Sequence, residues 1–419
     1  MKVGDSDSNK IILIGILIGI ILGGFLGYTL GEKMVWASFF GTLFLNALKM
    51  IVIPLIITSM VTGVAALGDI RKLGGTAAKT VGYYLMTTFA SVIIGIIVVN
   101  LIQPGVGQSI FNQSAEPVAD AGEFSILGFF LKLIPTNVFE AMAETRVLPL
   151  IIFSLFFGAV LTTIGKKGEM LIEIFDGLNE VIMKMVHIIM WFAPVGVFGL
   201  VAGKIATVIA TSDPSITGGV NPVLYEILKV SKYSLSVLTG LSIHAFIILP
   251  LILYLLTRRN PLKYGSNVFQ AVATAFSTAS SSATLPITLD CVQKYNKVNR
   301  KAASFVLPLG ATINMDGTAL YEAVAAIFIA QLYGVDLTFG QQIIIVLTAT
   351  LAAIGAAGIP QAGLVTMVIV LQAVNLPVEG IASILAVDWL LDRFRTAVNV
   401  WGDSVGAAVI ENTREIRTE

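Results

Sequence analysis

Long apolar segments separated by short polar connections occupy most of the chain. Six of them fall in the first part, at 11–31, 36–67, 77–102, 126–164, 170–203 and 225–257. An α-helix needs roughly 20 residues to cross the hydrocarbon of a bilayer, so the longer segments predict tilted or kinked spans. The pattern therefore predicts an all-α polytopic membrane protein.

Two later apolar segments are interrupted. Segment 264–294 has basic residues at both ends and a break in the run 277–286, whereas segment 341–375 has no basic flank and a break at 355–363. They predict re-entrant helical hairpins, the first entering from the cytoplasm and the second from outside. A polar helix follows each hairpin, at 302–333 and 380–411. The resulting prediction is eight transmembrane helices plus two hairpins in inverted repeats, an arrangement that places a transporter's binding site at the broken elements.

The basic residues predict the orientation of the chain. Loops 103–124 and 205–224 contain no Lys or Arg, and the intervening connections on the opposite side are basic. Because basic residues are retained on the cytoplasmic side, the amino and carboxyl termini are predicted to be cytoplasmic.

Composition supports a membrane protein and excludes other classes. The chain is 56% hydrophobic and 12% charged, against roughly 45–50% and 25% in soluble domains. Its net charge of zero gives no indication of nucleic-acid binding. The single cysteine, Cys291, excludes an internal disulfide and a thiolate metal cluster. His187 and His244 lie in separate apolar segments, and we expect each to be a packing or interfacial residue.

The stretch 310–322 carries polar groups inside a very apolar segment. Its polar members are Thr312, Asn314, Asp316, Thr318 and Glu322, with glycines at 310 and 317. Buried acids and amides are costly in a membrane and normally face a cavity or an ion path. We expect the helix to open here and to bind a hard cation through oxygen atoms. The alternative is a polar kink that serves helix packing only.

The last predicted helix carries a charged face. Its members, four, three, four and four residues apart, are Asp388, Asp392, Arg395, Asn399 and Asp403. At 100° per residue they span an arc of roughly 80°. An internal ladder of ion pairs is one interpretation. Alternatively, Arg395 suits a carboxylate and Asp392 an ammonium group, which together predict an acidic amino acid as ligand.

Four segments carry a resemblance to a known family. They are Ser280–Pro286, Asn314–Thr318, Gly358–Gly363, and Asp392–Asn399 with Gly402 and Asp403. Over essentially its whole length the chain resembles the glutamate/aspartate transporters, the dicarboxylate/amino acid:cation symporters. The resemblance implies sodium-coupled uptake of L-aspartate or L-glutamate through the cell membrane, and no enzymatic activity.

The resemblance also implies an assembly and a mechanism. The expected assembly is a homotrimer surrounded by membrane lipids. Residues 1–76 and 103–203 would form a scaffold, and residues 77–102 and 204–419 a transport domain that slides as an elevator. The short loops, with no long insertion in span four, favour a prokaryotic homologue.

Site residues are carried over from matching segments. The implied substrate-binding residues are Ser280, Ser281, Ser282, Thr318, Ile359, Gly363, Asp392, Arg395, Thr396 and Asn399. The first implied sodium site consists of Gly310, Asn314, Asn399 and Asp403. The second consists of Tyr84, Thr87, Thr88, Asn314 and Asp316, and the third of Thr312 with carbonyls of Ala353, Ile354 and Ala356.

Two residues distinguish subfamilies. Archaeal-type members have an arginine in the first hairpin where this chain has Ala279, and Arg393 stands in the last helix instead. With Glu322, this resembles the animal transporters and implies proton cotransport and potassium countertransport. Burial favours the neutral form of a carboxyl group, so Glu322 could carry a proton; alternatively it is a structural acid paired with Arg393 or another base.

Other functions remain open at this point. Within the family, a proton-coupled acidic amino acid carrier or a C4-dicarboxylate carrier is the alternative. An ion channel would use similar polar helices without a gated pocket, so saturable accumulation against a gradient would separate the two. An intramembrane aspartyl protease could use two acids on neighbouring helices, but Arg395 and Asp403 favour ion pairing and ligand binding.

Overall fold

The chain is helical throughout the part that the structure describes. A computed structural model describes residues 4–65, 75–106, 131, 133–211, 222–356 and 362–412, and every regular element in these ranges is a helix. The first half forms α1 (Gly4–Leu30), α2 (Ser38–Ala65), α3 (Gly75–Ile102), α4 (Val138–Ala143), α5 (Val147–Leu161), α6 (Lys166–Trp191) and α7 (Ala193–Thr211).

The second half contains both predicted hairpins and both polar helices. Its helices are α8 (Pro222–Ile243), α9 (Leu249–Thr257), α10 (Pro261–Thr278), α11 (Ser281–Asp290), α12 (Arg300–Ile313), α13 (Asp316–Leu332), α14 (Phe339–Gly355), α15 (Ala362–Ala373) and α16 (Leu385–Glu411). Short 3₁₀ helices cover Gly31–Ala37 and Val378–Ser383, and π-turns cover His244–Ile248 and Cys291–Tyr295.

Several helical runs are long and apolar enough to cross a membrane. Among the described residues these are Ile14–Ala65, Gly75–Ile102, Ile227–Thr257 and Arg300–Leu332. The first run has 52 residues and joins α1 to α2, which is long enough for two crossings. With α6 and α7, which qualify together across a bend of 53°, these runs confirm an all-α polytopic membrane protein.

Two predicted spans are each divided between two helices in the described residues. Within 126–164 the chain forms α4 and α5, separated where Thr145 adopts a positive φ of 55°. Segment 170–203 is divided between α6 and α7 at Phe192, because Pro194, two residues later, cannot donate a hydrogen bond to continue α6. The domain boundary predicted between residues 203 and 204 consequently falls inside α7.

The first hairpin consists of α10 and α11. The break between them lies at Ala279, in the left-handed region with φ 49°, and at Ser280, whose Oγ accepts a hydrogen bond of 3.2 Å from Ala283 N and caps α11. The predicted break is confirmed at the serines, but Pro286 lies inside α11. The second hairpin consists of α14, which ends at Gly355, and α15; residues 357–361, including most of its predicted break, lie outside the described residues.

Glycines allow α1 and α7 to pack closely. Four of them follow one another every fourth residue on α1, at Gly15, Gly19, Gly23 and Gly27. A Cβ on Gly19 would lie 2.5 Å from Pro194 O, and one on Gly23 would lie 2.8 Å from Phe198 O. Small residues at this spacing let membrane helices approach to backbone contact. As α7 and α2 also pack together, α1, α2 and α7 form one bundle.

The helix that begins within the polar stretch 310–322 lies at the centre of the other helices. Helix α13 is buried along nearly its whole length and packs against α3, α14, α15 and α16. Helix α16 packs against α10 and α12 as well. This arrangement brings the interrupted helix α12–α13 and the charged face of α16 together.

The glycine contacts generate a stability prediction. Replacing Gly19 with Ala should lower the thermal unfolding midpoint, because overpacking against Pro194 O costs about 1–3 kcal/mol and exceeds the gain in helix propensity of up to about 1 kcal/mol. Gly24→Ala is the matched control, since nothing lies within 4 Å of a Cβ there. Size-exclusion thermostability in detergent measures both variants, and equal midpoints would contradict close α1–α7 packing.

Candidate functional site

The polar helix opens at the predicted stretch. Helix α12 ends at Ile313 and α13 begins at Asp316, with Asn314 and Met315 in non-helical conformations between them. The amide nitrogen of Gly317 in the first turn of α13 donates to Asn399 Oδ1 at 2.7 Å. A side chain of α16 therefore satisfies a backbone donor that the interruption leaves free.

The charged face of α16 is buried along its length. All five of its predicted members are at most 7% exposed. At its centre Arg395 Nη2 donates to Asp392 Oδ1 at 2.7 Å, and Nη1 lies 3.1 Å from Asp388 Oδ1. The guanidinium also stacks on the Tyr321 ring, 3.8 Å from its centroid. The ion-pair interpretation therefore holds for Asp388, Arg395 and Asp392, whereas Asp403 has different partners.

Arg395 retains hydrogen-bonding capacity in this arrangement. Its Nε and Nη1 atoms make no hydrogen bond of good geometry within the described residues. Gly363, in the first turn of α15, is so close that a Cβ there would lie 3.0 Å from Nη1 and 3.2 Å from Thr318 Cγ2. The second hairpin thus lies directly against the guanidinium and Thr318. Thr396 Oγ1 donates to the Asp392 carbonyl at 2.8 Å.

Asp316 is surrounded by two hydroxyl groups and an imidazole. Its Oδ1 accepts from Thr88 Oγ1 at 2.7 Å and from Thr87 Oγ1 at 3.2 Å, both on α3. Its Oδ2 lies 3.0 Å from His244 Nε2 at the π-turn after α8. Asp316, Thr87, Thr88 and His244 are all buried. The structure therefore brings together most of the second predicted sodium site.

Asp403 forms a neighbouring carboxylate group. Its Oδ1 accepts from Asn314 Nδ2 at 2.9 Å. A Cβ on Gly310 would lie 2.3 Å from the same oxygen and 2.7 Å from the Tyr84 hydroxyl. A side chain at position 310 would therefore displace Asp403 or Tyr84. Tyr84, whose hydroxyl donates to Val306 O at 2.6 Å, lies beside the first predicted sodium site. Asn399 is on the same face but donates to Thr318 Oγ1 at 3.4 Å.

These two carboxylates suit a hard monovalent cation. No Lys or Arg pairs with Asp316 or Asp403 in the described part of the chain. No group of three or more His, Cys, Asp and Glu side chains there could hold a metal ion, so a transition-metal centre has no support among these residues. One carboxylate surrounded by amide, hydroxyl and carbonyl oxygens is a donor set for a hard cation.

The third predicted sodium site is not assembled by contacts in this structure. Thr312 is exposed, and its hydroxyl donates to Leu309 O at 2.8 Å. Ala353 and Ala356 are buried, and Ile354 packs near Gly63 of α2. This site stays a prediction.

The serines of the first hairpin differ in their environment. Ser280 caps α11, Ser282 is exposed, and Ser281 Oγ is buried without a hydrogen-bond partner among the described residues. A buried hydroxyl without a partner is a position at which a ligand can bind. Ile359, predicted in the second tip, lies outside the described residues.

Glu322 and Arg393 lie in separate environments. Glu322 Oε1 accepts a short hydrogen bond from Thr366 Oγ1 of α15, and its Oε2 has no partner in the described residues. Arg393 Nη1 donates to Ser277 O at 2.6 Å and to Phe276 O at 3.1 Å. The structure therefore does not pair Glu322 with Arg393, and Arg393 lies at the break of the first hairpin, beside Ala279.

Sequence reasoning missed two functional candidates. His244 was expected to be a packing residue but contacts Asp316 directly, and a histidine inside a long apolar span was the signal that could have identified it. Asp388 was recognised as part of the charged face but was given no role. Its ion pair with Arg395 makes it a residue that positions the guanidinium.

Comparisons with known proteins identify the family of the chain. The model of the sodium:dicarboxylate symporter family matches residues 12–413. The chain is 43% identical over 433 residues to excitatory amino acid transporter 3 of Homo sapiens, covering 91% of this chain and 79% of that protein. It is 42% identical over 437 residues to excitatory amino acid transporter 1 of Ambystoma tigrinum, covering 91% and 78%. An excitatory amino acid transporter of Caenorhabditis elegans is 40% identical over 423 residues, covering 90% and 82%. The chain therefore belongs to the sodium:dicarboxylate symporter family.

Proposed function

We propose that this protein is a secondary active symporter that takes up aspartate or glutamate together with sodium. The observation that carries the proposal is the buried face of α16. On it, Arg395 and Asp392 offer opposite charges to a zwitterionic acid, and Asp403 lies further along the same face without a cationic partner. The animal relatives named above, whose names specify excitatory amino acids, support the same substrate class.

Substrate binding is an exchange of ion pairs. Without ligand, Arg395 and Asp392 neutralise each other at 2.7 Å, since a buried charge left unpaired is strongly destabilising. A substrate carboxylate binds the guanidinium through parallel hydrogen bonds, and the substrate ammonium pairs with the Asp392 carboxylate. Asp388 then continues to hold the Nη1 side of Arg395. Both charges remain paired before and after binding.

Sodium binding completes the site. Cations at Asp316 and Asp403 supply the positive charge that these buried carboxylates lack, and Asn314 lies in the helix interruption between them. If sodium orders this stretch and so raises substrate affinity, substrate must raise sodium affinity by the same factor. Net charge moving with the substrate makes uptake depend on the membrane potential.

Proton and potassium coupling are assigned to Glu322. The side chain is buried between α13 and α15 with Thr366 as its partner. An ionised carboxyl group is costly in a membrane interior, so in this proposal Glu322 crosses the membrane either protonated or accompanied by a cation. Proton cotransport with substrate, followed by potassium return, satisfies both conditions.

The packing supports a division into scaffold and transport domain. We assign residues 1–76 and 103–203 to the scaffold and 77–102 and 204–419 to the transport domain, with one amendment. Because α7 packs on α1 and α2, all of Ala193–Thr211 is assigned to the scaffold. The transport domain moves as an elevator, and both termini are cytoplasmic.

The exposed surface of α6 supports a homotrimer. Glu173, Asp176 and Glu180 are exposed on a helix that also exposes Ile174 and Leu178. Charges on such a helix are costly against lipid and are normally covered by protein or water. Other copies of the chain are the proposed cover, with lipids around the remaining apolar surface.

Uptake into proteoliposomes tests the proposed function. Radiolabelled aspartate should accumulate when an inward sodium gradient is imposed, and internal potassium should increase the rate. Glu322→Gln should remove the potassium effect, because the amide cannot exchange a proton. Accumulation driven by protons alone would overturn the sodium assignment, and no accumulation of aspartate or glutamate would overturn the substrate assignment.

Arg395→Cys should abolish the uptake of acidic substrates. Removing one partner of a buried, hydrogen-bonded charge pair costs about 2–5 kcal/mol, which is at least about thirtyfold in uptake at low substrate concentration. With the cation removed, small neutral amino acids should compete better than aspartate. Arg146→Cys, which removes an exposed arginine paired with Glu144, is the control and should transport normally. Unchanged aspartate uptake by Arg395→Cys would contradict the carboxylate role.

His244→Leu should weaken sodium binding. The change removes a partner of Asp316, and loss of such supporting partners typically lowers metal affinity about 10–100-fold. The measurement is the rise in thermal unfolding midpoint with sodium concentration, which needs no substrate. The half-maximal concentration should increase about tenfold or more, whereas His187→Leu should leave it unchanged. Equal sodium dependence in both variants would mean that His244 only packs.

A further inference from the structure

A short segment between the second hairpin and the last helix contacts two helices of the proposed scaffold. This connector, residues Val374–Ile384, contains the 3₁₀ helix Val378–Ser383. Lys49 Nζ of α2 lies 2.7 Å from Glu379 Oε1, and Lys204 Nζ of α7 lies 2.5 Å from Ser383 Oγ. Two lysines from different helices thus contact the same short segment.

Both lysines lie several residues away from one end of their helix, the start of α2 and the end of α7. Lys49 is eleven residues after Ser38, where α2 begins, and Lys204 is seven residues before Thr211, where α7 ends. At about 1.5 Å per residue these positions are about 16 Å and about 10 Å from those ends. In the proposed orientation both ends are outer ends. The connector, on the outer side of the transport domain, is therefore recessed below the outer ends of the scaffold helices.

The inner end of the second hairpin is displaced in the same direction. Gly355 at the end of α14 packs against Ser59 and Met60, and Ile354 packs near Gly63. These three residues of α2 are within seven residues of its inner end at Ala65. The hairpin therefore contacts the inner end of α2 while the connector contacts its middle. Both observations describe a transport domain lowered toward the cytoplasm.

We propose that Lys49 and Lys204 are positioning residues that hold the transport domain in this lowered state. The inference rests on the proposed function, because it requires a domain that slides. Raising the domain by more than a few ångströms must separate Lys49 from Glu379 and Lys204 from Ser383. Each contact therefore stabilises the lowered state relative to the raised one.

The expected effect on transport follows from the relative populations of the raised and lowered states. Substrate outside the membrane binds the raised state, so its apparent affinity is reduced by the fraction of molecules that are raised. The Lys49 and Glu379 side chains are 33% and 61% exposed, and a bridge of this kind shifts an equilibrium only about two- to fivefold. Breaking it should lower the KM for external aspartate by up to that factor.

Charge reversal and exchange test the contact. Lys49→Glu and Glu379→Lys alone should each lower the external KM about two- to fivefold, and the double exchange Lys49→Glu/Glu379→Lys should restore the wild-type value. Lys49→Arg should also retain it. Lys33→Glu reverses an exposed charge on the same predicted side and should have no effect. Lys204→Met should also lower the external KM.

A second measurement does not depend on transport. Backbone hydrogen exchange in the connector should become faster in each single reversal and return to the wild-type rate in the double exchange. The role of these lysines would be overturned if the wild type transports aspartate and every variant has the same KM as the wild type. It would also be overturned if the double exchange restores neither the KM nor the protection from hydrogen exchange. Absence of uptake by the wild type would instead overturn the proposed function, while the exchange data would still report on the contact.

Discussion

The high free energy of a charge in an apolar interior is the constraint on which this structure depends. Arg395 satisfies it internally, with Asp388 and Asp392 beside it and the Tyr321 ring beneath it. Asp316 and Asp403 have only hydroxyl, amide and imidazole partners among the described residues. The guanidinium is therefore paired with acids of the chain itself, whereas these two carboxylates have no Lys or Arg partner among the described residues. This is the electrostatic condition for a protein that must bind cations before its charges are balanced.

The same cost made much of the site predictable from sequence. Because charged residues are rare in membrane helices, the five polar positions on α16 stood out and their spacing placed them on one face, where the structure finds them buried. The polar stretch after Gly310 likewise predicted an interrupted helix, and the interruption lies at Asn314 and Met315. The hairpins followed from break residues together with flanking charge. These predictions succeeded because each depends on local spacing and on a penalty that few residues can escape.

Contacts between distant helices were not predictable in this way. The approach of His244 to Asp316 depends on how the π-turn after α8 packs against α13, and no spacing along one helix encodes that distance. The family resemblance implied that Tyr84 belongs with Asp316, and in the structure its hydroxyl lies beside Gly310. The division between α6 and α7 depends on a single proline, Pro194, inside the segment 170–203. Sequence periodicity determines the face of a helix, whereas packing determines its partner.

The distances within the site make coupling between ions and substrate a short-range effect. Asn314 donates to Asp403 and belongs to the interruption, and three residues later Gly317 N is held by Asn399. Asn399 also contacts Thr318 and is one turn from Arg395 on α16. A cation that reorients Asn314 therefore acts on the same few residues that would hold the substrate, and no extended pathway is required. Gly363 of the second hairpin lies against both Arg395 and Thr318. In the proposed mechanism, ion binding, substrate binding and closure are therefore parts of one local rearrangement.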